Sequence, residues 1–167
     1  MNNNANKWIK DLDLLPHPEG GFYKQVHKSE ESFTLENDNV RPAYTSIYFL
    51  LTNKSPSHLH RLASDEVWYY HDGSPLSVHM IHKDGFYEKV MLGRNPEKNE
   101  HLQTVVPKGT IFGSSVDDEE AFALVSCMVS PGFDFQDFEL FSQKDLLADF
   151  PEHKNIILKL AYEKLPE

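Results

Sequence analysis

A chain of 167 residues, 40% apolar and 12% aromatic, is long enough for one ordinary domain with a real core and too apolar for a disordered polypeptide. Its formal net charge of −10 lacks the basic footprint that nucleic-acid binding needs, and no run approaches eighteen apolar residues, so no membrane span is expected. One cysteine, Cys127, excludes an internal disulfide framework and fits a reducing, cytoplasmic setting, as does the absence of a basic-then-apolar leader in residues 1–6.

Residues 1–6, rich in asparagine, read as a disordered lead-in, and the whole of 1–167 as one domain. Trp8, Ile9, Leu12 and Leu15 recur at a helical spacing and predict a short amphipathic helix over Lys7–Leu15. Pro16-His17-Pro18-Glu19-Gly20-Gly21 must break it. Strand signals then dominate, at Phe22–His27, Tyr44–Leu51, His58–Leu62, Val67–His71, Leu76–His82, Tyr87–Leu92, Gln103–Val106, Ile111–Ser115 and Phe122–Val129. Turn-forming Gly, Pro, Asp and Asn separate them, as in Asp72-Gly73-Ser74-Pro75 and Gly93-Arg94-Asn95-Pro96. Short strands at this spacing indicate a β-sandwich or barrel. The acidic runs, such as Glu36-Asn37-Asp38 and Asp117-Asp118-Glu119-Glu120, read as solvated loops. Residues 142–165 read as two C-terminal helices, the first capped by Ser142 and the second begun after Pro151.

The chemistry concentrates in Ser57-His58-Leu59-His60-Arg61-Leu62-Ala63-Ser64-Asp65-Glu66. His58 and His60 share one face of an extended segment, because side chains alternate with period two. Two imidazoles with the Glu66 carboxylate suit either of two tasks: holding a divalent metal, or acid–base chemistry without one.

His58-x-His60, five residues, Glu66, six residues and Gly73 resemble the first cupin motif, and Pro107-x-Gly109 resembles the core of the second. Further phrases sharpen the likeness: Leu15-Pro16-His17-Pro18-Glu19-Gly20-Gly21-Phe22-Tyr23, then His60-Arg61-Leu62-x-Ser64-Asp65-Glu66-x-Trp68, then Ser130-Pro131-Gly132-Phe133-Asp134-Phe135-x-Asp137-Phe138. Together they resemble a small RmlC-like cupin subfamily without an assigned activity. The resemblance covers about Leu12 to Pro151. It implies an all-β cupin jelly roll, a double-stranded β-helix with short N- and C-terminal helices, and a homodimer. It also implies a barrel pocket, here expected from Tyr48, His58, His60, Glu66, Trp68, Tyr70 and Phe112. Metal-binding cupins carry a third histidine three residues after the glycine of the second motif, where this chain has Phe112.

Metal-free sugar epimerases among the cupins pair a pocket histidine with a carboxylate and use a tyrosine as acid. By that likeness His60 is the candidate base, Glu66 or Asp65 its partner, and Tyr48 or Tyr70 the acid. The expected ligand is a small polar metabolite, a sugar or nucleotide-sugar, with no cofactor. One alternative is a dioxygenase or isomerase with a divalent transition metal on His58, His60 and Glu66. Another is a non-catalytic sensor or storage protein. Trp68 and Phe112 are candidate pocket walls, and His17 with Glu19 a candidate pair on a loop at the mouth. Arg61 is a candidate anion clamp, although opposite parity to His60 favours a salt bridge to Asp65 or Glu66 instead. Phe133, Phe135 and Phe138 are expected in the core or at a subunit interface.

Overall fold

Side-chain alternation along the strands decides which residues turn inward. The computed structural model describes residues 3–166, and two six-stranded sheets face each other across its core. The first sheet is ordered β1 (Leu15–Pro16), β2 (Phe22–Lys28), β5 (Thr45–Thr52), β13 (Phe122–Ser130), β7 (Asp65–Gly73), β11 (Gln103–Val106). The second is β10 (Glu100–His101), β9 (Tyr87–Leu92), β8 (Leu76–Ile81), β12 (Ile111–Ser115), β6 (Ser57–Leu62), β14 (Phe138–Leu140). A separate hairpin joins β3 (Ser32–Thr34) to β4 (Val40–Pro42). From β5 to β8 each strand lies in the sheet opposite its predecessor, and β11 to β14 repeat the alternation. This is the jelly roll, with short helices near its ends.

The barrel is not uniformly filled. Phe49, Trp68, Tyr70, Leu76, Met80, Leu92 and Phe112 pack one part of the interior as an apolar core. Their burial is the main stabilising term, at about 25 cal/mol per Å² of apolar surface removed from water. Toward the other end the inward positions become polar: Glu66 two residues before Trp68, and His60 beside Phe112 in the β6–β12 register.

The predicted strands stand close to their expected limits, and the differences are the unexpected short strands β1, β3, β4, β10 and β14 and the helices at the ends of the chain. Helix α1 spans Asn3–Asp11, four residues earlier than expected, so residues 3–6 are helical where a disordered lead-in was expected. Met1 and Asn2 of that segment lie outside the described residues. The helix stops because Asp13 takes a left-handed φ of 52° and Leu15, preceding a proline, is confined to extended geometry. Ala5 and Leu14 then pack on Leu50, Phe122 and Leu124 on the outer face of the first sheet. At the other end α2 (Gln143–Asp149) is capped by Ser142, whose side chain accepts from the Asp145 backbone N–H. Helix α3 (Lys154–Leu160) covers the outer face of the second sheet through Ile157 and Leu160.

A polar chain also runs beneath α3. The Tyr87 hydroxyl donates to His79 Nδ1 (2.8 Å), His79 Nε2 donates to Ser115 Oγ (3.0 Å), and Ser115 donates to Asp117 (2.9 Å). Lys159 of α3 reaches the same Asp117 oxygen at 2.6 Å. Each member has a partner, so this chain fastens the helix to the sheet.

Candidate functional site

The Pro16–Gly21 turn carries the first part of the site. Gly20 and Gly21 take φ values of 105° and 71°, which a side chain would resist, and they fold the loop back onto β6. The Glu19 carbonyl there accepts from the His58 backbone N–H (2.7 Å) and from His58 Nδ1 (2.7 Å). The Glu19 carboxyl is thereby turned inward, where it is 7% exposed. Ser57 Oγ donates to its Oε1 at 2.9 Å, and its Oε2 lies 3.4 Å from both His17 Nδ1 and His60 Nε2.

Hydrogen bonding constrains the protons of this cluster. His60 Nδ1 donates to the His58 carbonyl at 2.7 Å, so Nε2 carries the lone pair that faces Glu19. His17 Nδ1 accepts from the Glu19 backbone N–H at 3.2 Å. Burial lowers the His60 imidazole to about 4, with the bond to the His58 carbonyl opposing. Burial also lowers His17, against the attraction of Glu19, and raises Glu19 against the pull of His17 and Ser57. Burial thus pushes Glu19, His17 and His60 each toward the uncharged form. Ser57→Ala removes the hydroxyl that favours the Glu19 carboxylate. It should cost about 1–2 kcal/mol of stability and move the Glu19 pKa further up in a carboxyl-carbon NMR titration. A Glu19 value that stayed or fell would contradict this arrangement.

Glu66 enters the same cavity from the opposite sheet. Strand β6 belongs to the second sheet and β7 to the first, so the short turn at Ala63–Ser64 sets His60 and Glu66 on facing walls. Burial pushes the Glu66 carboxyl up to about 8, and the negative charge of Glu19 pushes the same way. The nearby Trp68 and Cys127 side chains oppose both. Among the described residues, Glu66 Oε2 and Trp68 Nε1 are buried without a partner in hydrogen-bond geometry. An unpaired buried carboxylate is costly, so this group stays protonated at neutral pH.

These groups line a cavity of about 290 Å³. Tyr23 and Gln25 of β2, Thr45 and Ile47 of β5, Leu62 of β6, and Cys127 and Val129 of β13 complete most of its wall. Phe133 and Phe135, expected in the core or at an interface, close it instead, with Phe135 stacked on His17 at 6.2 Å. Arg41 steadies that segment through paired hydrogen bonds to Asp137, at 2.7 and 3.1 Å. The Cys127 thiol is pushed well up by burial and by Glu66 and Glu19, so it offers no ready nucleophile.

Of the residues given a candidate catalytic, ligand or metal role from the sequence, His17, Glu19, His60 and Glu66 lie on the cavity and the others do not. His58 turns from it and stacks on Tyr162, ring centroids 3.8 Å apart. Phe112 packs against the His60 ring at 4.1 Å but stays within the core, as does Trp68. Tyr70 donates its hydroxyl to the Gly73 carbonyl, and Tyr48 faces α1 on the outer side of its sheet. Arg61 points outward to Glu139 (3.1 Å) and over the Phe141 ring, rather than to Asp65 or Glu66. Asp65 accepts from the Lys108 backbone N–H. Tyr23, Gln25 and Ser57 were given no role from the sequence; the alternation of β2 was the available signal for Tyr23, while Gln25 stays exposed at the rim.

Over residues 6–141 the chain matches the protein-family model for the Cupin superfamily (DUF985). It belongs to that cupin family. This cupin is 29% identical over 153 residues to the uncharacterised protein YML079W of Saccharomyces cerevisiae, a match spanning 83% of this chain and 76% of the yeast protein. A hypothetical protein from Leishmania major superposes with a TM-score of 0.91 at 49% identity, over 95% of this cupin and 99% of that chain. A protein from Shewanella oneidensis gives 0.89 at 46% identity, over 96% and 98%. Oxalate decarboxylase from Bacillus subtilis, a protein with Mn(II) centres, shares only the fold, with a TM-score of 0.56 at 18% identity over 93% of this cupin and 41% of its own chain.

The residues of this cupin do not fit such a metal centre. Among the described residues, no group of three or more His, Cys, Asp or Glu side chains is placed to hold an ion. The set His58, His60 and Glu66 is not brought together, because His58 is spent on Tyr162 and the Glu19 carbonyl.

Proposed function

We propose that this cupin binds a small oxygen-bearing metabolite in the barrel cavity and transfers a proton beside its carbonyl without a metal. The observation that carries the reading is that a protonated Glu66 carboxyl, its Oε2 without a hydrogen-bond partner, lines the same cavity as His60, whose Nε2 keeps its lone pair. A neutral carboxylic acid donates a hydrogen bond to a carbonyl oxygen, and a positioned imidazole accepts the adjacent carbon-bound proton. The C–H proton passes to His60 Nε2 while the oxygen takes the Glu66 proton, giving an enol. Glu66 is then a carboxylate and His60 an imidazolium, and return of both protons completes an epimerisation at that carbon. Glu19 steadies the imidazolium, and Ser57 steadies Glu19.

Uptake of solvent deuterium beside the carbonyl, followed by proton NMR over a panel of small sugars and ketones, tests this in chelator-treated protein. His60→Ala and Glu66→Gln should each slow exchange by about 100-fold or more. Unchanged exchange in His60→Ala would sink the reading. So would a stoichiometric transition metal in untagged protein that the same substitution removed.

The weak basicity of His60 favours a second reading, in which the cavity binds its ligand without reaction. A ligand that co-purifies unaltered, with no turnover across the panel, would support it.

A further inference from the structure

We infer that the ligand is an uncharged, compact and largely apolar molecule with one carbonyl or hydroxyl oxygen, and that phosphorylated and nucleotide-linked metabolites are excluded. The inference rests on the reading of this cavity as the ligand site, and it names the ligand class.

Three observations converge on it. Among the described residues, no lysine or arginine lines the cavity. Arg41, near its mouth, spends its guanidinium on Asp137 and Gln136. Sugar phosphates and nucleotides require cations or helix N-termini to replace their lost hydration, and nothing of that kind faces inward here.

Second, the ionisable groups are buried with few partners, which favours their uncharged forms. His60 has one nitrogen on the His58 carbonyl and the other 3.4 Å from Glu19 Oε2, which fits a neutral imidazole. Glu66 has an oxygen without a protein partner, which fits a carboxylic acid waiting for an acceptor. Burial shifts each of these groups toward its neutral form. An entering anion would meet two carboxyl groups and no counter-ion, inside a chain of net charge −10.

Third, shape and surface agree. Tyr23, Ile47, Leu62, Val129, Phe133 and Phe135 supply most of the apolar wall of a cavity of about 290 Å³. At roughly 30 Å³ per water that is room for about ten waters, or a ligand of about ten to fifteen non-hydrogen atoms. A nucleotide sugar is too large as well as too charged.

The test is binding by calorimetry at neutral pH with matched pairs. These are 3-methylcyclohexanone against 3-oxocyclohexanecarboxylate, and cyclohexylmethanol against cyclohexylmethyl phosphate, with UDP-glucose as the extreme case. At least one neutral member should bind with a Kd below about 10 mM and at least about tenfold more tightly than its anionic partner. Gln25→Arg, which sets a guanidinium on the wall, should move the preference toward the anion by about tenfold. Anions that bind the unaltered protein as tightly as their neutral partners would overturn the inference. So would a panel with no neutral binder, or a folded Gln25→Arg with unchanged preference. Neutral ligands that bind without deuterium uptake would end the catalytic reading and leave the ligand class standing. Uptake confined to anionic compounds would do the reverse.

Discussion

Glu66→Gln should make the protein more stable in mild alkali while leaving it nearly unchanged in mild acid. Glu66 is held near 8 in the folded chain, against 4.5 as its ordinary value. A folded-state pKa above the unfolded one means that the native protein keeps a proton the unfolded chain has released. The stabilisation is complete below about pH 4.5 and is lost as pH rises through about 8. Over that window the loss amounts to about 3–5 kcal/mol, a large share of the stability of a domain this size. Glutamine keeps the volume and cannot ionise, so the variant should escape the decline. His60 acts in the opposite direction: lowered from 6.5 to about 4, it withdraws stability as pH falls between those values. The difference between variant and parent isolates Glu66. Urea midpoints at about pH 5 and about pH 8.5 measure it, and two pH profiles that ran parallel would refute the assignment of a buried, protonated carboxyl.

Gly20→Ala should be among the most damaging single substitutions. At φ 105° an added Cβ would meet the Pro56 carbonyl oxygen at 2.0 Å and His58 Nδ1 at 3.0 Å. The first contact is backbone, so neither rotation nor a small adjustment relieves it. Positive φ alone costs a residue with a side chain about 1–2 kcal/mol, and the displacement of β6 or the turn brings the expected loss to at least about 3 kcal/mol. The functional loss should exceed the structural one. Gly20 adjoins the Glu19 carbonyl, which holds His58, and the Glu19 carboxyl faces His60. Thermal unfolding together with ligand binding checks both parts. A variant with the parent's Tm, or one that bound ligand normally once folded, would show that the turn does not position Glu19.

The layout of the strands was legible because runs of β-branched and aromatic residues are separated by Gly, Pro and Asp turns. The family phrases also pointed to His17, Glu19, His60 and Glu66, all of which lie on the cavity. Trp68 and Phe112 show where such reading stops. Parity correctly set Trp68 on the same face as Glu66, but two residues along a strand is about 7 Å, enough to pass from the polar end to the packed core. Alternation tells inside from outside and says nothing of depth along the barrel. Tyr48 and Tyr70 failed as candidate acids for related reasons: one faces α1, and the other spends its hydroxyl on a turn carbonyl. His58 was misread because the Glu19 loop and Tyr162, distant in sequence, draw it away. The hairpin β3–β4 went unrecognised because its strands are only three residues each and mostly exposed.

The stack of Tyr162 on His58 makes the C-terminal segment a support for the Glu19 loop. The family match ends at residue 141, yet Tyr162 lies against His58, and its hydroxyl donates to the Pro18 carbonyl at 3.1 Å. Both contacts fall beside Glu19, on the loop that holds one wall of the cavity. A segment outside the family-defining region thus acts as an adjustable strut on a shared scaffold. A change in the tail would therefore reach the cavity wall through Glu19 without touching a residue that lines it.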